Sequence, residues 1–157
     1  VAVFSFDARG LRVLMSTNTK GNRIMSEQIV TILMVDDDPD FVDFTTSYLE
    51  ANGYKVETAY EGEEGLKKAA EVKPDLILLD VMMETRTEGF KVARELSENE
   101  QLRSIPIVMM TGIRTDMNLP FGFEPDDDWL PVTEYMEKPI DPAKLVNTIS
   151  RMLDKSE

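Results

Sequence analysis

The chain has 157 residues, 42% of them hydrophobic, which is enough for one domain with a buried core and not comfortably enough for two. Its net charge is −13 and it holds no run of basic residues, so direct binding to nucleic acid is not expected. The absence of cysteine and histidine excludes disulfide scaffolds, the usual zinc ligands and the Ser-His and Cys-His catalytic pairs. No stretch approaches the length of a membrane span and no secretory signal is present, so we expect a cytoplasmic protein without membrane contact.

Residues 1–24 differ in pattern from the rest of the chain. "VAVFSF" and "LRVLMS" flank the turn-like "DARG", an arrangement that is compatible with a hairpin. "MSEQIVTILMVDDD" is typical of a domain that starts at Met25. We therefore predict an N-terminal extension over residues 1–24, either non-native or a hairpin, followed by one domain over residues 25–157.

Strand and helix patterns alternate over residues 30–80. The buried strand "TILMV" precedes a helix, "FVDFTTSYLEANG", that stops at Gly53 and places four apolar residues at helical spacing: Phe41, Phe44, Tyr48 and Leu49. The half-buried strand "YKVETA" then precedes a charged helix that we expect to bury Leu66, Ala69 and Ala70. A proline separates this helix from a further buried strand, "DLILLD".

The alternation continues to the last helix. "FKVARELSEN" predicts a third helix and "IPIVMMTG" a fourth strand, whereas residues 112–133 predict only a short or irregular helix because prolines and an acidic run interrupt them. "EYMEKP" predicts a fifth strand, and "DPAKLVNTISRML" a helix with Leu145, Ile149 and Leu153 turned inward. Five strands separated by helices indicate an α/β fold, a doubly wound parallel sheet with helices on both faces.

Several strands of the predicted sheet end in residues that can act on a ligand. In the strand order 2-1-3-4-5, the first and third strands are neighbours, and Asp36, Asp37 and Asp80 converge outside their carboxyl ends. Carboxylates about 4 Å apart repel by roughly 4 kcal/mol at an effective dielectric constant of about 20, so such a cluster needs a counter-charge. An all-oxygen cluster suits a hard cation, Mg²⁺ first. Thr111 and Lys138 add a hydroxyl and an ammonium to the same edge, which makes a site for a phosphoryl group with one carboxylate as nucleophile.

With these motifs in order, the chain from about residue 30 to residue 153 resembles the receiver domain of two-component response regulators, of the single-domain chemotaxis type. The resemblance implies a flavodoxin-like three-layer sandwich. It also implies that Asp36 and Asp37 of "VDDD" bind Mg²⁺, with Mn²⁺ as an alternative, and that Asp80 of "PDLILLDVMM" is both a metal ligand and the phosphoacceptor. The backbone carbonyl of Met82 completes the implied ligands.

The remaining implied site residues follow the fourth strand or belong to the fifth. Thr111 and Lys138 are expected to hold oxygens of the phosphoryl group, and the peptide bond before Pro139 is expected to be cis. Thr111 and Tyr135 are the expected switch residues, which change the output surface on phosphorylation. The implied partners are a sensor histidine kinase or phosphotransfer protein and a downstream protein target, with a homodimer as an open alternative.

Two departures from the family pattern leave alternatives open. Glu84 stands where the family usually has proline, and Gly89 lies nine residues after Asp80, one more than usual. An interaction module that is never phosphorylated is therefore one alternative. An Asp-nucleophile phosphatase is a weaker one, because Met82 stands where that class needs a second aspartate.

Two further expectations concern the ends of this pattern. The chain stops just after the last predicted helix, which indicates either a stand-alone receiver or part of a longer protein. Three aromatic residues of the irregular segment form either a partner-binding patch or plain core: Phe121, Phe123 and Trp129.

Overall fold

The structure is a computed structural model that describes residues 3–6, 11–17, 19–21, 23–85, 87–112 and 132–155. The irregular helix predicted before the fifth strand, with its three aromatic residues, lies outside the described ranges. Among the helices within those ranges, none combines the length and the apolar character that a membrane crossing requires.

Near the N-terminus, three antiparallel strands form a sheet of their own, in the order β1-β2-β3. They are β1 (Val3–Phe6), β2 (Leu11–Thr17) and β3 (Arg23–Ile29). The first two pair as the predicted hairpin would, from Val3 opposite Met15 to Phe6 opposite Arg12. β3 runs across the domain boundary predicted after residue 24, so this sheet contains residues from both sides of that boundary.

A second sheet of five parallel strands forms the centre of the rest of the chain. Its strands are β4 (Thr31–Val35), β5 (Lys55–Ala59), β6 (Leu76–Asp80), β7 (Ile107–Thr111) and β8 (Glu134–Glu137). They lie in the order β5-β4-β6-β7-β8, with every pair parallel. The predicted order 2-1-3-4-5 is therefore confirmed.

In the part of the chain that the structure describes, four helices cover the two faces of this sheet. They are α1 (Pro39–Ala51), α2 (Gly62–Val72), α3 (Glu88–Glu98) and α4 (Pro142–Lys155). Successive residues of β4 point to opposite faces, so Leu33 packs in the core under α2 and α3 while Ile32 and Met34 pack in the core under α1 and α4. The result is the flavodoxin-like three-layer sandwich, and its central strands are apolar throughout because both faces are covered.

The buried side of α4 agrees with the sequence prediction, whereas that of α2 differs. Leu145, Ile149 and Leu153 are each at most 2% exposed, as predicted. Ala70 is exposed, so its predicted burial is wrong. α2 instead buries Ala69 together with two glycines, because it lies so close to the sheet that a Cβ at Gly65 would come within 2.9 Å of the Val35 side chain.

Candidate functional site

Three aspartates meet at the carboxyl edge of the parallel sheet. Asp36 directly follows β4 and Asp80 is the last residue of β6, and their exposed fractions are 0% and 4%. Asp37 is exposed beside them, and one carboxylate oxygen from each of the three lies within 4.8 Å of the others. The structure therefore brings together the acidic cluster that the strand order predicts.

Local hydrogen bonds place Asp36 in the site and use Asp38 to cap α1. The backbone N–H of Asp36 donates to the carbonyl oxygen of Ala59 at 3.1 Å, which ties the end of β4 to that of β5. Asp36 Oδ1 accepts a hydrogen bond from the backbone N–H of Asp38 at 3.0 Å, which fixes the carboxylate. Asp38 is the N-cap of α1, and its Oδ1 accepts from the backbone N–H groups of Asp40 and Phe41 at 3.1 and 3.2 Å. Asp38 is thus occupied by the helix and leaves Asp36 and Asp37 to the site.

Lys138 supplies the positive charge at this edge. Its Nζ lies 2.6 Å from Asp36 Oδ2 and 3.5 Å from Asp80 Oδ1. It follows β8 directly, and its backbone N–H donates to the carbonyl oxygen of Thr111 at 2.7 Å. The peptide bond between Lys138 and Pro139 is cis, as the resemblance implies. One ammonium thus contacts two buried carboxylates.

Burial and the neighbouring charges shift the pKa of Asp80. Burial and then the neighbouring charge of Asp36 raise the pKa of Asp80 from 3.8 to about 6, although Lys138 and a hydrogen bond from the backbone N–H of Met82 act in the opposite direction. A single ammonium therefore does not compensate the buried negative charge. Further positive charge at this position would stabilise the ionised form of Asp80.

The other predicted residues surround this cluster. Thr111 is the last residue of β7 and is buried, and among the described residues its hydroxyl oxygen has no hydrogen-bond partner. Tyr135 lies on β8, half-buried against the core under α2 and α3, and burial raises the pKa of its phenol to about 12. Met82 has a 38% exposed side chain, and the role of its carbonyl as a metal ligand stays a prediction.

One aromatic residue contacts the site although its sequence pattern does not predict this contact. The sequence assigns Phe41 to the apolar face of α1, and it does pack at the edge of the core under α1 and α4. The centre of its ring also lies 4.3 Å from Lys138 Nζ, within the range of a cation–π contact. The available signal was its place in the first helical turn after the acidic run.

The backbone beside Asp80 leaves no room for a side chain at position 89, where the sequence has glycine. The N–H of Gly89, in the first turn of α3, donates to the carbonyl oxygen of Val81 at 3.0 Å. A Cβ at position 89 would lie 2.1 Å from the carbonyl oxygen of Asp80, a contact that no side chain tolerates. Glycine at this position therefore allows α3 to start directly against the end of β6.

The donor atoms of the cluster fit a small divalent cation. They are carboxylate oxygens, two of the three carboxylates are buried, and the ammonium of Lys138 leaves an excess of negative charge. Hard cations with oxygen ligands, Mg²⁺ above all, match this donor set, whereas softer metals favour histidine nitrogen or cysteine sulfur, and this sequence has neither residue.

Comparison with known proteins agrees with this geometry. The family model of the response regulator receiver domain matches residues 32–150, more than half of the chain. The alkaline phosphatase synthesis transcriptional regulatory protein PhoP of Bacillus subtilis is 37% identical over 126 residues, which cover 80% of this chain and 49% of PhoP. Protein PilH of Pseudomonas aeruginosa is 30% identical over 122 residues, covering 78% of this chain and 96% of PilH. The chain spans about half the length of several curated relatives it matches, PhoP among them.

Solved structures show the same likeness in three dimensions. The chemotaxis protein CheY4 of Vibrio cholerae matches with a TM-score of 0.68 at 29% identity, covering 79% of this chain and 98% of CheY4. A CheY-like receiver domain protein of Methanospirillum hungatei matches with a TM-score of 0.69 at 29% identity, covering 82% of this chain and 97% of that protein. Together with the family match, these findings show that the chain belongs to the response regulator receiver family of two-component signal transduction.

Proposed function

We propose that this receiver accepts a phosphoryl group on Asp80, in a Mg²⁺-dependent reaction, from a sensor histidine kinase or a phosphotransfer protein. The observation that carries the proposal is the meeting of Asp36, Asp80 and Lys138, with contacts of 2.6 and 3.5 Å, at the edge where parallel sheets place ligand-binding residues. Three separate strands contribute these residues, which makes a chance cluster a poor explanation.

Each residue of the cluster has a task in this reaction. Asp36, Asp37, Asp80 and the Met82 carbonyl would hold Mg²⁺, or Mn²⁺ in its place, and the bound ion supplies positive charge against the carboxylates and the phosphoryl group. A carboxylate oxygen of Asp80 attacks the phosphorus, a P–O bond forms, and the bond from phosphorus to the histidine nitrogen of the donor breaks. The product on this chain is an acyl phosphate.

Thr111 and Lys138 act on the transferred group. The Lys138 ammonium lies beside Asp80, where it balances charge on the phosphoryl oxygens. The buried hydroxyl of Thr111, without a partner among the described residues, has a hydrogen bond to give to another of those oxygens. Movement of Thr111 toward the phosphoryl group would let Tyr135 on the neighbouring strand β8 turn inward and change the output surface.

The partners follow from this chemistry. Receiver domains interact with histidine kinases or phosphotransfer proteins, and a partner of this class would dock at the edge that carries Asp80. The changed surface would then bind a downstream protein, or a second copy of this chain in a homodimer. The proposed role is that of a signalling domain that promotes its own phosphorylation and dephosphorylation, rather than an enzyme with a separate substrate, acting in the cytoplasm where kinases supply the phosphoryl group.

The test is intact mass after incubation with acetyl phosphate and Mg²⁺. We expect the parent to gain one phosphoryl group and Asp80→Asn to gain none. Asp43→Asn, the same replacement at an exposed position of α1, controls for the loss of one negative charge and should behave as the parent does.

Two results would contradict the proposal. A gain of one phosphoryl group by Asp80→Asn would show that another residue is the acceptor. A parent that neither gains a phosphoryl group nor binds beryllofluoride with Mg²⁺, measured by calorimetry, would favour the interaction module that is never phosphorylated.

A further inference from the structure

Among the described residues, the ammonium of Lys138 contacts two carboxylates and the face of an aromatic ring. Asp36 Oδ2 lies at 2.6 Å, Asp80 Oδ1 at 3.5 Å, and the centre of the Phe41 ring at 4.3 Å. The face of an aromatic ring attracts a cation through its quadrupole, and this attraction is stronger where water is partly excluded. The Lys138 side chain is only 20% exposed, so the contact lies in such a place.

The position of the ring is fixed by the acidic run that supplies the site. Asp38 caps α1 by accepting a hydrogen bond from the backbone N–H of Phe41, and Pro39 is the first residue of the helix. The same segment holds Asp36 through the backbone N–H of Asp38. The ring of Phe41 and the carboxylate of Asp36, which both contact Lys138, are therefore held by one short stretch of backbone.

Unlike the two carboxylates, the ring of Phe41 does not bind a divalent cation. Asp36 and Asp80 are proposed ligands of a divalent cation, so their attraction for Lys138 weakens when that cation shares their charge. A phenyl ring has no oxygen to offer a hard cation and keeps its attraction for the ammonium. Release of the lysine into water would also give up the contact between its ammonium and the ring.

We propose that Phe41 is a positioning residue, whose ring holds the Lys138 ammonium beside Asp80 so that it is in place for the incoming phosphoryl group. The inference rests on the proposed function, because it assigns Phe41 a role in the phosphorylation of Asp80. It also explains why the aromatic residue stands in the first turn of α1, at the edge of the core rather than within it.

The first test compares two phenylalanines of the same helix. Phe44 lies three residues further along α1 and is 60% exposed, so Phe44→Leu is the matched control for Phe41→Leu. With acetyl phosphate and saturating Mg²⁺, we expect Phe41→Leu to lower the maximal rate of phosphorylation by about fivefold or more, with Phe41→Tyr restoring most of it and Phe44→Leu leaving it unchanged. Equal rates for Phe41→Leu and the parent, or no restoration by Phe41→Tyr, would overturn the inference.

A second test keeps the shape of the side chain. Replacement of Phe41 by pentafluorophenylalanine keeps an apolar six-membered ring of similar shape but reverses its quadrupole, and urea unfolding checks that the variant is folded. We expect the rate to fall as it does in Phe41→Leu, and the same replacement in a Lys138→Met background to have no further effect. An effect of equal size in both backgrounds would show that Phe41 acts other than through Lys138, and would overturn the inference.

A third readout does not depend on phosphorylation. In the metal-free protein, the ring current of Phe41 should shift the ε-proton resonance of Lys138 upfield, and this shift should vanish in Phe41→Leu but persist in Phe44→Leu. An unchanged resonance in Phe41→Leu would overturn the inference. A parent that takes no phosphoryl group would overturn the proposed function and this inference together, whereas a phosphorylated parent with an unaffected Phe41→Leu overturns this inference alone.

Discussion

At the scale of single residues, the folded protein bears an electrostatic cost at Asp80. Its pKa is about 6 in the folded state, mainly because burial disfavours the charged carboxylate, against an ordinary value of 3.8 in an unfolded chain. The folded state therefore binds the proton more tightly, and this residue's contribution to stability falls as the pH rises from about 4 to about 6.

Asp80→Asn should remove this cost. We expect the metal-free variant to be more stable than the parent by up to about 3 kcal/mol above pH 7, and the difference to shrink toward zero near pH 4, where Asp80 is protonated in both states. The measurement is the free energy of unfolding by urea between pH 4 and pH 8, with Asp43→Asn as the control for a lost negative charge. A stability difference that stays constant over this range would contradict the burial of an ionised Asp80.

The sequence sufficed for the residues that end strands but not for those placed by packing. Asp36, Asp80 and Lys138 were predictable to converge because parallel strands bring their carboxyl ends to one edge. The contact between Phe41 and Lys138 was not predictable, because it depends on where the first turn of α1 lies relative to the residue that follows β8, and no sequence spacing encodes this. Phe44 shows the same limit, since helical periodicity makes it a core residue and the structure leaves it 60% exposed.

At the scale of elements, the junction of β6 and α3 depends on the absence of one side chain. A Cβ at Gly89 would lie 2.1 Å from the Asp80 carbonyl oxygen and 2.7 Å from Val81 Cα, and neither backbone atom can move without shifting the end of β6. Alanine is the better helix former, so intrinsic propensity favours the substitution while packing opposes it.

We expect the steric clash of a Cβ at position 89 to outweigh the higher helix propensity of alanine. Gly89→Ala should lower the free energy of unfolding by about 2 kcal/mol or more and slow the phosphorylation of Asp80, because α3 has to shift away from the acceptor strand. Gly112→Ala is the matched control, since the structure describes no atom within 4 Å of a Cβ at that position. Urea unfolding and phosphorylation rates of both variants test this, and a Gly89→Ala variant as stable as Gly112→Ala would contradict the described contact.

The elements themselves were predictable to different degrees. The central strands are continuous apolar runs because helices cover both faces, and this signal is strong in β6 and β7. The inner face of α2 was less predictable, because it buries Gly62 and Gly65, residues that a hydrophobic pattern does not count. The extra residue before Gly89 belongs to the loop from β6 to α3, where family spacing alone does not give the path of the backbone.

At the scale of the whole molecule, the net charge and the acidic site both favour the binding of a cation. The chain carries a net charge of −13, and part of it is concentrated in the cluster of Asp36, Asp37 and Asp80. A cation that binds only the folded state raises its stability by mass action, about 2.7 kcal/mol at a concentration one hundred times Kd.

Mg²⁺ should therefore raise the Tm of the parent by several degrees. Asp37→Asn should lose most of this rise, and since Asp37 is exposed its replacement should leave the metal-free Tm nearly unchanged. Because any salt screens the repulsion among the acidic residues, KCl at matched ionic strength is the control. Equal shifts with KCl and Mg²⁺ would show that screening, and not a bound cation, is responsible.

The distance along the chain between the site residues has a consequence for how the protein comes to be folded. Lys138 is 102 residues from Asp36, so the two meet only after the last strand of the sheet has joined β7. During synthesis the earlier strands emerge first and bring Asp36 and Asp80 together before Lys138 is available, so partly made chains lack the ammonium that contacts both carboxylates. The pairing of β8 with β7, which brings Lys138 to the aspartates, is thus a late step of folding. The complete site forms together with the finished sheet rather than before it.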